Sequence, residues 1–220
     1  MPNRNSRDME GRVLPQDIAG IELRAGQGDD ASEVIAGIGA VYYDGSKRTE
    51  YQIKFSDGYT IRERIMPGAF DDVLNADVRG LFNHEPTLLL GRTSAGTMRL
   101  TSDAEGLRYE IDPPDTSTGR DVMESIRRGD LSGSSFWFQV APDGQRWIDT
   151  DSESIREITQ FSSLFDVGPV TFPAYEATTT GLRDEESVRK EIEARRSAVT
   201  SANLARYERI AEARRRGLSL

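Results

Sequence analysis

From about Gly20 to Tyr175 the chain never runs far without a turn signal. Short apolar runs alternate with Gly, Pro, Asn and Asp. This punctuation constrains the fold more than any other feature, because runs so short and so bounded are strands rather than helices. IELRAG, EVIAGIGAVYY, YQIKF, YTIRERI, VRGLFNH, TLLLGRT, GTMRLTS, GLRYEID, SSFWFQV, QRWID, REITQF and SLFDVGPVTF follow one another in this way. Asp57-Gly58, between YQIKF and YTIRERI, is a strong hairpin signal, since both residues tolerate the positive φ of a tight turn. Glu105-Gly106 marks the turn between GTMRLTS and GLRYEID. Two short helices interrupt the series. One lies near 69–75. The other runs between Pro113-Pro114 and Gly129, with Thr116 and Ser117 as candidate N-caps, Arg127 and Arg128 in the last turn, and Gly129 as the stop. About ten short strands and few helices predict a mainly β, α+β fold, a closed or nearly closed β-barrel with short surface helices.

The two ends differ from this middle. Residues 1–18 are polar and carry Pro2 and Pro15, which predicts a flexible N-terminal arm. Residues 184–216 lack Pro and Gly, are rich in Ala, Glu and Arg, and predict a long C-terminal helix. Its apolar stripe is broken, so a solvated, charge-paired helix and a partner-binding helix are both open. The expected organisation is an arm over 1–18, a folded domain over 19–183 and a charged helical tail over 184–220.

Composition excludes several function classes. The net charge is −9, with 28 basic and 37 acidic residues. A general nucleic-acid binder needs a basic face to neutralise phosphates, so that class is disfavoured. There are no cysteines and one histidine. Disulfides, thiol catalysis and cysteine- or multi-histidine metal sites are therefore out, and no metal or cofactor is expected. No run approaches the ~20 apolar residues of a membrane span. The expectation is a soluble intracellular protein.

Three positions could carry chemistry. His84 ends an apolar strand in LFNHEP, just before Pro86, where a side chain can face a cleft. Ser135 opens the aromatic strand SGSSFWF and shares a face with Trp137, while Phe136 and Phe138 point the other way. Asp166 sits inside the apolar run LFDVGPV, where an unpaired carboxylate would be costly and a histidine N–H would satisfy it. A serine hydroxyl becomes a nucleophile when a base takes its proton, and a carboxylate that orients the base helps further. Each residue also has an ordinary structural reading. Spacing alone neither brings the three together nor chooses Ser135 over Ser132 and Ser134.

At these residues the sequence resembles the prohead maturation serine proteases of tailed bacteriophages, a family related in fold to herpesvirus assemblin. ERIMPGAF, DVRGLFNHEP, LLGRTSAGTMRLTSDAEGLRYEIDPPDT, IRRGDLSGSSFWF and LFDVGPVTFPAY carry the resemblance in order, over about Ala36 to Arg183. It implies a histidine, a serine and an acidic residue in that chain order, matching His84, Ser135 and Asp166. Gly168 stands where the family usually has serine. Assemblin uses a second histidine as third member; with a single histidine here, an acid must serve. Backbone N–H groups are expected to hold the oxyanion, with Gly133 and Ser134 as candidates and Arg92 as a residue that orients a water or a carbonyl.

The resemblance implies a serine endopeptidase that acts by acyl transfer. It would cleave extensions of scaffold and major capsid protein, and itself, inside the assembling procapsid in the host cytoplasm. Partners would be those two proteins, a homo-oligomer being compatible, without nucleic acid or membrane. Two other readings stay open: a non-catalytic assembly factor that binds scaffold through its tail, and a small-molecule hydrolase.

Overall fold

The computed structural model describes residues 9–14, 16–26, 32–54, 58–150, 153–172 and Ala194. Two compact units divide the chain, Met1–Leu182 and Arg183–Leu220. The expected C-terminal helix lies outside the described residues apart from Ala194.

The first unit is mostly β. Its strands are β1 (Glu10–Leu14), β2 (Glu22–Ala25), β3 (Glu33–Val41), β4 (Tyr51–Lys54), β5 (Thr60–Ile65), β6 (Arg79–Leu81), β7 (Leu89–Arg92), β8 (Met98–Ser102), β9 (Gly106–Ile111), β10 (Gly133–Val140), β11 (Gln145–Asp149), β12 (Glu153–Ile158) and β13 (Phe161–Val170). A single turn of helix, α1, covers Gln16–Ala19, and the main helix, α2, covers Ser117–Arg127. The helix expected near 69–75 is a 3₁₀ turn at Asp71–Val73.

Local chemistry accounts for these elements. In α2 the Thr116 hydroxyl accepts the Gly119 N–H at 3.2 Å. Gly129 takes a left-handed φ of 79° at the other end. There the Gly129 N–H donates to Ile126 and the Asp130 N–H to Ser125, both at 2.9 Å, so the last carbonyls are satisfied. In β9, Leu107, Tyr109 and Ile111 point inward with the period-2 alternation of a half-buried strand. Phe136 and Phe138 do the same in β10 and stack 5.0 Å apart, and Phe161 meets Phe138 at 4.8 Å and Phe70 at 4.5 Å. Each such ring contributes roughly 1.5–3 kcal/mol by burial.

The expected barrel does not close among the described residues. Among the described residues the strands form three separate sheets, in the orders β1-β10-β13-β6-β7, β11-β12-β5-β4 and β2-β3-β9-β8. Alternation and turn spacing set how many strands there are, but closure depends on which edges meet, and that is a long-range property. Two pairings are parallel, β12 with β5 and β13 with β6, and both need crossovers that no local pattern encodes. Register shifts at Trp137/Phe138, Gly80/Leu81 and Ile38/Ala40 bend the ladders.

The expected arm overlaps the sheet from Glu10 onward. β1 pairs antiparallel with β10, and Leu14 is wholly buried. The Arg12 side chain reaches across to the second sheet, where Glu63 of β5 accepts from its Nε and Nη2, both at 2.7 Å. Arg156 of β12 donates to Glu63 at 2.8 Å and to Glu10 at 2.7 Å. Arg12 donates to Glu10 at 2.7 Å. Two guanidiniums and two carboxylates are thus buried together with their charges matched, the condition under which buried ions are tolerated. Turn signals alone could not separate this short strand from its polar surroundings.

Candidate active site

The site lies on the face of the five-stranded sheet that turns away from the aromatic core. Alternation along β10 sends Phe136 and Phe138 inward and leaves Ser135 and Trp137 on the opposite face. In register, Ser135 stands beside Gly168, and Trp137 beside Asp166, on β13. On its other side Asp166 pairs with Arg79 of β6. The chain leaves β6 through a β-turn, Phe82–Glu85, closed by the Glu85 N–H donating to Phe82 at 3.1 Å. His84 is the second central residue of that turn and swings back over the sheet.

Asn83 and His84 have φ of 54° and 57°, the two positive-φ non-glycine residues among those described. A left-handed L-residue costs about 1–2 kcal/mol, and Asn tolerates the region better than most. The conformation directs the imidazole at both of its partners. His84 Nδ1 lies 2.5 Å from Asp166 Oδ1, and Nε2 lies 2.5 Å from Ser135 Oγ. The Trp137 ring packs against the imidazole at 5.2 Å between centroids.

The proton assignment follows from what each group can do. An ionised carboxylate only accepts, so Nδ1 carries the proton that it shares with Asp166. In the neutral ring Nε2 is then an acceptor and can take the Ser135 proton. A second acceptor competes for that proton, since the Ser135 hydroxyl also donates to the Arg12 carbonyl of β1 at 2.9 Å. Ser135 and Asp166 are buried, and the His84 side chain is 17% exposed. The imidazole is therefore the part of this chain of bonds that faces outward.

The remaining candidates are Gly133, Ser134 and Arg92. Gly133 and Ser134 lie within β10, immediately before Ser135. The Ser134 side chain points into the core, where its hydroxyl is 2.9 Å from the Tyr109 hydroxyl. Alternation thus puts Ser134 and Ser135 on opposite faces. Arg92 is on β7, two strands away from Asp166, and donates through Nε and Nη2 to Asp77 at 2.7 and 2.6 Å. Asp77 and Arg92 hold each other rather than pointing to His84. Among the described residues no cluster of His, Cys, Asp or Glu could hold a metal ion, and no helix is long and apolar enough to cross a membrane. Sequence reasoning missed the Arg12 carbonyl, whose role depends on pairing between distant strands. It also passed over Asn83, whose position before the histidine, with its tolerance of positive φ, was the available signal.

A hydroxyl, an imidazole and a carboxylate joined in series can carry out acyl transfer, and the chain is a serine peptidase. It belongs to the caudovirus prohead serine protease family, whose family model matches residues 20–192. Among solved structures it is similar to the capsid assembly protease gp21 of bacteriophage T4. The TM-score is 0.39 at 13% identity, covering 76% of this chain and 99% of that one. No curated protein matches. Its family makes the chain a capsid maturation protease, acting within the assembling procapsid.

Proposed function

We propose that Ser135 is the nucleophile, His84 the general base and Asp166 the carboxylate that orients the base. The observation that carries this reading is the pair of 2.5 Å contacts that His84 makes, one to Asp166 and one to Ser135. His84 Nε2 accepts the serine proton as Oγ attacks a peptide carbonyl. The protonated ring, stabilised by Asp166, then gives that proton to the leaving amine. Water, activated by the same Nε2, hydrolyses the acyl-enzyme and frees Oγ. The developing oxyanion requires N–H donors, for which the backbone of Gly133 and Ser134 next to the nucleophile is the candidate. We assign no oxyanion role to Arg92, whose guanidinium is engaged by Asp77.

The substrates in this reading are the scaffold and the major capsid protein, cut inside the procapsid in the host cytoplasm, together with the enzyme's own ends. The catalytic domain is the segment 19–183 joined by strand β1, and 184–220 is an appended tail. Coexpression with the coat and scaffold proteins tests it. Mass spectrometry should find shortened products, and Ser135→Ala or His84→Ala should abolish them. Processing that persists in the Ser135→Ala protein would overturn the assignment.

A further inference from the structure

β6 has three residues and pairs with β13 at a single register position, Arg79 beside Asp166. His84 lies five residues beyond that point. The other edge of β6 pairs with β7 along its length, and the Phe82 N–H donates to the Leu88 carbonyl at 3.1 Å, so the turn is tied firmly to β7 and at one position only to β13. Its central residues hold the left-handed region, and their placement against β13 calls for a second anchor.

The second anchor is at the far end of the strand that carries Asp166. The Asn83 N–H donates to the Pro169 carbonyl at 3.0 Å. The Asn83 Nδ2 donates to Thr171 Oγ1 at 2.9 Å, and the Thr171 N–H donates to Asn83 Oδ1 at 2.8 Å. The Asn83 amide thus uses both of its ends on one residue, just past β13. We propose that Asn83 and Thr171 form a clamp that positions the His84 ring between Asp166 and Ser135. Asn83 and Thr171 are positioning residues, and the proposal rests on the roles assigned above to His84 and Ser135. Base and acid are both registered against one strand: Asp166 by sitting in it, His84 through Asn83 at its end. Asn83 is suited on two counts, because it accepts the left-handed backbone and its amide supplies a donor and an acceptor together.

Both residues are exposed at the surface, where single hydrogen bonds contribute little to stability. The clamp is therefore separable from folding. The test compares Thr171→Val, Thr171→Ser and Asn83→Gly in the full chain. Thr171→Val removes the hydroxyl, Thr171→Ser keeps it, and Asn83→Gly keeps the backbone freedom but loses the amide. Two readouts are used: the rate at which a fluorophosphonate labels Ser135, and the downfield NMR resonance of the His84 Nδ1 proton. That resonance is unambiguous in a chain with one histidine.

Thr171→Val and Asn83→Gly should label about 10- to 100-fold more slowly than the parent, the scale of a small misplacement of a reacting group. Their His84 resonance should shift or broaden, their melting temperatures should stay near the parent's, and Thr171→Ser should recover the parent rate. Parent-like labelling and an unchanged resonance in both Thr171→Val and Asn83→Gly would overturn the clamp while leaving the nucleophile and base assignments standing. A parent protein that is not labelled at Ser135 would instead overturn those assignments, and the clamp with them.

Discussion

The Ser135 hydroxyl donates to the main-chain carbonyl of Arg12 at 2.9 Å, across 123 residues of sequence. Arg12 thus touches the site with its backbone while its side chain is bound to Glu63 in another sheet. Strand β1 belongs to the surroundings of Ser135. Deleting residues 1–14 should lower stability by several kcal/mol, since it removes buried Leu14 and leaves Glu63 short of a partner. Fluorophosphonate labelling of Ser135 should fall with it. A truncated protein with parent stability and labelling would show that β1 is dispensable.

Asp166→Asn tests the orienting carboxylate with little change of shape. The amide can present an N–H to Nδ1 and so favour the tautomer whose Nε2 is already protonated. Labelling or cleavage rates should drop by roughly 10³- to 10⁴-fold, as expected for a base held in the wrong tautomer. A loss below about tenfold would remove Asp166 from the mechanism.

The buried charge cluster should be sensitive to both sequence and pH. Glu63→Gln leaves Arg12 and Arg156 with only Glu10 between them and should destabilise by about 3–5 kcal/mol, read by denaturant unfolding. Burial pushes the Glu10 carboxyl up, but the Arg12 and Arg156 guanidiniums outweigh that and hold it at about 2, below its ordinary 4.5. A carboxyl depressed on folding contributes fully above its unfolded value and loses that contribution as pH falls toward the folded one. Stability should therefore decline between about pH 4.5 and pH 2. Glu10→Gln should flatten that part of the profile while lowering stability at neutral pH.

Gly168 lets β6 approach β13 closely. A Cβ on this residue would lie 2.2 Å from the Leu81 carbonyl oxygen, so backbone would have to move. Leu81 is three residues before His84. Gly168→Ser should cost about 1–3 kcal/mol and slow Ser135 labelling by at least about tenfold. Unchanged melting and labelling would show that the strands separate without moving the base.

Much of the secondary structure was legible because its causes are local. Thr116 caps α2 and Gly129 ends it, as their side chains and backbone preferences dictate. β8 and β9 pair antiparallel across the turn that Glu105-Gly106 marks, and β4 pairs antiparallel with β5 as the order of the runs suggests. β1 was not legible, because Glu10–Leu14 is a strand only by virtue of β10 beside it and Glu63 across from it. Closure into a barrel was expected and is not found among the described residues, because strand count does not decide which edges meet.

The chain by itself determined a run of short strands, the absence of thiol chemistry, a single histidine, and the motifs that resemble a phage protease family. These depend on residue type and near-neighbour spacing. Tertiary structure decided which side chains meet. Ser134 and Ser135 are adjacent in sequence, yet one hydroxyl faces Tyr109 in the core and the other faces His84. His84 and Asp166 are 82 residues apart and come within 2.5 Å through a parallel pairing and a left-handed turn. Alternation along a strand can be read locally. Which face is buried, and which distant strand lies alongside, are settled by the packing of the whole domain.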